Sequence, residues 1–423
     1  MTARSAIRTI KNKIVEEKGT VYSIFATVLI SSVIIFGYRD GTLGDANYYI
    51  SNGDRLFDGE NVYEEGFRSG PLGAIFLYMV SVVFVPTILE VLLQLCNIIG
   101  PILFVTLLFD DKRSAIKYWP ILITFSAFRE LLVNHQINGL ILILLSVFLL
   151  TRRSEKVLIN LVGNFAAAFA LDLKPHLVIP ILLSMTIFKK DWLNLLKIAF
   201  ITTMLHIAVN LHLGTVTEIQ WIQNLRQISS APQNSDWADI FNVWPLFDQL
   251  INSPEVLKVI ALSTFLALCL ALPTISRRYS VNLGVYIALA TPLIGVYAHF
   301  YDLVPFLILS FLYLEKHSNQ TFIWFFVNCA VIFRGIDTIN ELIFLIVVNA
   351  YFLAIKIREN PSSGMKIIRA GIIGFALYVI YYECVEILIG DENLLRSFLI
   401  SFIGFATFIS TIKIISSKKA AVK

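Results

Sequence analysis

Polar and ionisable side chains are costly in a chain as apolar as this one, so the places where they gather are the places to look for chemistry. Asp45 opens the polar stretch Gly44-Asp45-Ala46-Asn47-Tyr48-Tyr49, shortly after the first long apolar run, Thr20 to Tyr38. Its carboxylate is expected at a lipid–water boundary, where a base acting on membrane-borne substrates would have to sit. Asp172, Lys174 and His176 form a second polar knot around Pro175, and His299 and Asp302 a third. A carboxylate beside cationic and hydrogen-bonding groups suits a base that takes the proton of a hydroxyl while cations hold a departing phosphate. In that division of labour Asp45 is the base, and Lys174, His176 and His299 neutralise charge on the leaving group. Glycosyl transfer from a lipid phosphate is one reaction that fits.

Each residue alone has a plainer reading. A single histidine at a helix end is commonly a hydrogen bonder, Lys174 beside Pro175 reads as a snorkelling lysine before a helix start, and Asp302 as a helix cap. The argument for a shared site is their convergence on one face. Asp54 and Asp58 also follow Asp45, but they flank Arg55 in a segment, Tyr48 to Phe57, that reads as an amphipathic juxtamembrane helix with a solvated face. A metal site could be drawn from the Asp and His pairs, but no span offers a tight ligand spacing, so it is the weaker reading, and no cofactor is expected. Cys96, Cys269, Cys329 and Cys384 all fall in apolar runs and read as structural thiols. No Gly-x-Gly run or phosphate-binding loop is present.

The elements that must position these residues follow from composition. Of 423 residues, 57% are hydrophobic and only 15% charged, with a mean hydropathy of +0.74. These values describe a polytopic membrane protein and exclude a soluble globule. The net charge of +4 is small, and no nucleic-acid partner is expected. Apolar runs recur almost from end to end, so one all-α transmembrane bundle over 1–423 is the expected architecture, with about 12 to 14 spans at about 20 residues each. The basic stretch before Thr20 reads as an uncleaved signal anchor.

Basic clusters at Lys112-Arg113, Arg152-Arg153, Lys189-Lys190, Arg277-Arg278, Lys356 to Lys366 and Lys413 to Lys423 mark the cytoplasmic ends. Opposite them lie two long outer loops, 39–70 and 212–252, and the polar groups Asp45, His135, Asp172, Lys174, His176, His212, His299 and Asp302. Both termini are then cytoplasmic and the site faces outward. Pro71 to Pro86 is expected as a short or juxtamembrane helix that does not fully cross, with Thr87 to Phe109 crossing. Helices in 316–423 carry no assigned role.

The chain resembles the GT-C superfamily of multi-spanning glycosyltransferases, and most closely glycosyltransferase family 87. That family includes polyprenyl-phosphate-mannose-dependent mannosyltransferases and related arabinofuranosyltransferases. The likeness is carried by Gly44-Asp45-Ala46-Asn47-Tyr48-Tyr49 with Leu56, Gly59 and Asn61-Val62-Tyr63, which is similar to the family's first outer loop. Gln136-Ile137-Asn138 resembles a Gly-Gln-x-Asn element, Leu173-Lys174-Pro175 a Lys-Pro element, and Ala298-His299-Phe300-Tyr301-Asp302, followed by Pro305, a late outer motif. Each motif is weak alone; their order and spacing over roughly residues 20 to 315 are the specific part. Two positions depart from the pattern near the expected donor pocket. Ser69-Gly70-Pro71 stands where the family carries an aromatic–proline pair, and His135 where it carries glycine.

The resemblance implies a GT-C fold and an inverting, metal-independent transfer of mannose or arabinofuranose from a polyprenyl-phosphate donor. The acceptor would be a lipid or cell-envelope glycan on the outer face of a bacterial inner membrane. It places the base on Asp45. Donor-phosphate or substrate contacts fall on Lys174, His176, His299, Gln136, Asn138, Asp172, Asp302, Tyr48 and Tyr63.

Two rivals differ in where they put polar groups. A lipid or sugar transporter places them near mid-membrane in broken helices, whereas here the mid-span segments are nearly free of charge. An O-antigen-type polymerase or ligase rests on arginines in a large outer loop. Arg226 would serve, with Trp221, Trp237 and Trp244 either stacking on sugars or anchoring the interface.

Overall fold

A computed structural model of the chain describes residues 20–32, 45–62, 70–84, 86–109, 111–123, 128, 131–132, 136–213, 219–220, 254–294, 300–317, parts of 350–373, and 406–416. The described residues form helices and no strand. In chain order they are α1 (Thr20–Ser32), α2 (Asp45–Phe57), α3 (Pro71–Val83), α4 (Pro86–Leu108), α5 (Lys112–Leu122), α6 (Asn138–Thr151), α7 (Val157–Leu173), α8 (Pro175–Ser184), α9 (Lys189–Leu213), α10 (Pro254–Arg278), α11 (Val281–Leu289), α12 (Val304–His317) and α13 (Ala406–Ser416). Short 3₁₀ turns at Thr291–Leu293 and Phe300–Leu303 lie between α11 and α12.

Three of these helices are long and apolar enough to cross a membrane: Ile88–Leu108, Lys189–His212 and Val259–Arg278. Others are apolar but shorter, such as Asn138–Thr151 and Val157–Leu173. Much of the expected count of crossings falls on 318–349 and 374–405, outside the described residues. At 13 residues α3 is about 20 Å long, well short of a bilayer core of about 30 Å, and α4 begins afresh at Pro86. The break falls where the length of Pro71 to Phe109 requires one. The amphipathic segment begins at Asp45, three residues before the expected start, and turns Tyr49, Asn52, Gly53 and Leu56 inward while Ser51, Asp54 and Phe57 stay exposed.

The interior is aromatic and aliphatic, centred on Phe104, Phe128, Tyr286, Phe306, Phe311 and Tyr313. The long helices α9 and α10 instead show large apolar side chains on their outside, among them Leu196, Phe200, Leu211, Leu262 and Leu270. An apolar exterior of that kind is matched by lipid rather than water.

Among the described residues, the basic clusters at Arg152-Arg153, Lys189-Lys190 and Arg277-Arg278 gather at one end of the helices. Arg152 Nη1 donates to the carbonyl of Met185 at 2.9 Å and lies 3.7 Å from Asp191, while Arg277 and Lys190 reach the carbonyls of Ile187 and Arg153. Asn138, Asp172, Lys174 and Asp302 lie at the opposite helix ends. The charge segregation read from the sequence is thus a property of the fold.

Two helix starts at that opposite end are completed from elsewhere in the chain. The residues preceding α3 and α6, Gly70 and Ile137, provide no side-chain cap. Asp172 Oδ2 accepts from the Gly73 amide at 2.6 Å, and Asn97 Oδ1 accepts from the Gly139 amide at 3.0 Å. Each satisfies a first-turn N–H that a local serine or aspartate would ordinarily serve. Gly139 is required for a second reason: a Cβ there would fall on the backbone of Cys96 and Asn97, where α4 and α6 touch.

Candidate active site

Lys174 is the hinge of the site. It ends α7 and begins α8, its amide donating to Ala170 and its carbonyl accepting from Leu177 and Val178, with Pro175 opening the new helix. The backbone is therefore fixed from both sides. Its side chain is buried, and Nζ donates to Asp302 Oδ1 at 2.9 Å. The ammonium also lies 4.7 Å from the centre of the Tyr301 ring.

Asp302 sits in the 3₁₀ turn just before α12 and is fully buried. The same Oδ1 accepts from Asn138 Nδ2 at 2.7 Å, and His176 Nε2 lies 3.8 Å from Oδ2. A carboxylate so enclosed holds its partners in position rather than meeting solvent. Around it, Asn138 Oδ1 and His176 Nε2 are buried without a hydrogen-bond partner among the described residues. Buried polar atoms are almost always paired, so two orphans beside a buried ammonium mark hydrogen-bonding capacity held open for something else. His176, whose side chain is 35% exposed, is the partly exposed member of the cluster.

Asp172 belongs to a neighbouring arrangement. Besides Gly73, its carboxylate meets His206, whose Nε2 lies 2.7 Å from Oδ1, and its carbonyl accepts from the Gly70 amide. Both oxygens are spent on positioning α3 against α7 and α9. Gly70 has to be glycine here, because a Cβ would fall on the Asp172 carboxylate. Glycine at position 70 of the departing stretch thus has a packing reason in this chain.

The remaining expected residues are distributed as follows. Gln136 is buried, and its amide donates to the Leu131 carbonyl. Tyr48 is exposed on α2 with its ring edge-on to Tyr49. Asp45 is the first residue of α2, and its side chain lies outside the described residues, as do His135, His299 and Tyr63. Asp54 hydrogen-bonds the Tyr78 phenol and pushes its pKa up, so it is engaged with α3. Phe57 lies 5.3 Å from His212, which brings α2 to the same end of α9 as His206. Asn138, Lys174 with His176, and Asp302 are therefore assembled from three separate stretches of chain. Tyr301, His206, Gly70 and Gly73 complete the surroundings. Tyr301 stood inside a quoted motif; His206 gave no local signal, being a lone histidine in an apolar helix.

Comparison with known proteins bears on what this assembly is for. No curated protein and no solved structure matches the chain. The family described as glycosyltransferase family 87 matches residues 69–297, more than half of the sequence and the stretch that contains Asn138, Lys174, His176 and His206. A match of that extent, on a chain with membrane-length apolar helices and a buried polar cluster at one end, makes the protein a membrane glycosyltransferase belonging to glycosyltransferase family 87.

Proposed function

We propose that the protein transfers a sugar, mannose or arabinofuranose, from a polyprenyl-phosphate donor to a lipid or cell-envelope glycan acceptor. The bundle would have the GT-C fold and sit in a bacterial inner membrane, with both termini cytoplasmic and the pocket facing outward. The observation that carries this reading is the cluster around Lys174: a buried ammonium with N–H groups beyond the one given to Asp302, flanked by Asn138 Oδ1 and His176 Nε2, which have no hydrogen-bond partner among the described residues. A phosphate takes such donors, and a sugar hydroxyl donates to an amide oxygen.

In the reaction the acceptor hydroxyl oxygen attacks the anomeric carbon from the face opposite the phosphate. The bond from that carbon to the phosphate oxygen breaks, and its electron pair leaves with the polyprenyl phosphate. The hydroxyl proton passes to the Asp45 carboxylate. Lys174, with His176 and His299, stabilises the charge gathering on the leaving phosphate. Asp302 holds the lysine, and Tyr48, Tyr63 and Gln136 border the substrates.

The test is turnover of synthetic polyprenyl-phosphate-mannose and polyprenyl-phosphate-arabinofuranose by the purified protein in the presence of membrane glycolipid extract. Transfer of one sugar with inversion, unaffected by EDTA, is expected. Retention of anomeric configuration, or EDTA-sensitive activity restored by a divalent cation, contradicts the mechanism.

A further inference from the structure

Away from the pocket, α7 and α9 diverge around a groove of about 720 Å³. Its walls are apolar (Leu161, Phe165, Leu196, Phe200 and Met204 among them), and its polar features, Asn160 and Lys197, are confined to one end. That end is the basic one, below which lie Arg153, Lys156, Lys189 and Lys190. Lys197 lies nine residues from His206 along α9, so about 13 Å of helix separates the groove's cation from the Asp172–His206 pair.

Lys197 is an ionisable residue within a helix of membrane-crossing length. Its Nζ donates to Asn160 Oδ1 at 2.9 Å, and among the described residues no carboxylate pairs with it. The asparagine is itself held firmly: its Nδ2 donates to the Arg152 carbonyl at 2.9 Å, and its Oδ1 also accepts from Asn164 Nδ2 at 3.0 Å. A neutral amide orients the ammonium without compensating its charge, and an uncompensated ammonium at that depth is costly. Trp192, one and a half turns nearer the basic end, is 44% exposed, as expected of an interfacial anchor. A lysine stem reaches from the position of Lys197 toward that level.

From the apolar walls and the single cation at the basic end, we infer a binding site for an anionic phospholipid, its chain along α7 and α9 and its phosphate on Lys197. On the proposed reading the sugar donor is a different ligand, since that reading puts its phosphate at the far end with Lys174. The inference stands whether or not the transfer reaction is as proposed.

The experiment is native mass spectrometry of the full chain in a neutral detergent, titrated with phosphatidylglycerol or phosphatidylcholine of equal chain length. The wild type is expected to retain phosphatidylglycerol about fivefold better, the factor one basic residue contributes near an anionic lipid. Lys197→Met should remove the preference and Lys197→Arg should keep it, so that a loss through misfolding is recognised. Equal retention of the two lipids by the wild type overturns the proposal, as does an unchanged preference in Lys197→Met. Displacement of phosphatidylglycerol by polyprenyl phosphate in a Lys197-dependent way also overturns it, and assigns the groove to the donor lipid.

Discussion

Lys174 and Asp302 form a buried ion pair, and buried pairs behave asymmetrically on mutation. Removing one member leaves the other charged and desolvated, whereas neutralising both leaves a site that still packs. Lys174→Met alone is therefore expected to destabilise the protein by about 3 to 5 kcal/mol. The double variant Lys174→Met/Asp302→Asn should recover much of that loss, because Asn138 and the asparagine can still share a hydrogen bond. On the proposed reading it should not recover transfer, because the leaving phosphate would lose the ammonium that stabilises it. Thermal unfolding together with turnover of both variants separates the two roles. Recovery of turnover by the double variant would show that the lysine serves only the fold. The members of this cluster were legible in the sequence because each sits in a short motif at a helix end. Their partners were not, since Lys174 and Asp302 are 128 residues apart and only packing brings them together.

For the elements, the interest lies in how helix starts near the pocket are capped. Sequence reading looks for a cap immediately before the helix, and neither Gly70 nor Ile137 provides one. The caps come from Asp172, 99 residues from Gly73, and Asn97, 42 residues from Gly139. A donor and acceptor so far apart leave no periodic trace, so the capping role of Asp172 was not legible in the sequence. Its carboxylate meets the start of α3 and His206. Asp172→Ala should lower stability by about 1 to 3 kcal/mol, the cost of leaving buried polar groups unpaired. Gly70→Ala should act on the same contact by forcing a Cβ onto that carboxylate. In the double variant the clash has no carboxylate to meet, so the combined loss should be smaller than the sum of the two. Strict additivity in thermal unfolding would show that the two positions are uncoupled.

At the scale of the whole molecule, polar and basic residues segregate to opposite helix ends, and this was the most legible feature of the sequence. Charge in a membrane protein is ordered by sidedness, a one-dimensional rule that survives without knowledge of packing. The break between α3 and α4 was legible too, because Pro71 to Phe109 is too long for one span and too short for three. The sidedness has a direct consequence. In intact cells a membrane-impermeant thiol reagent should label Asp58→Cys, exposed after α2, and spare Glu155→Cys, exposed in the basic turn between α6 and α7. The reverse pattern would invert the orientation and place the pocket on the cytoplasmic side.

The account as a whole depends on Asp45 at the start of α2 acting as the base that works with the Lys174 cluster. Asp45→Asn keeps the size and the helix-starting character of the side chain while removing its ability to take a proton. Sugar transfer from polyprenyl-phosphate donor by the purified variant is the measurement that decides. The account predicts a fall of at least about a hundredfold, the lower range for loss of a general base, with thermal unfolding and donor binding unchanged. Turnover within a few-fold of the wild type would contradict it and move the base elsewhere in the pocket.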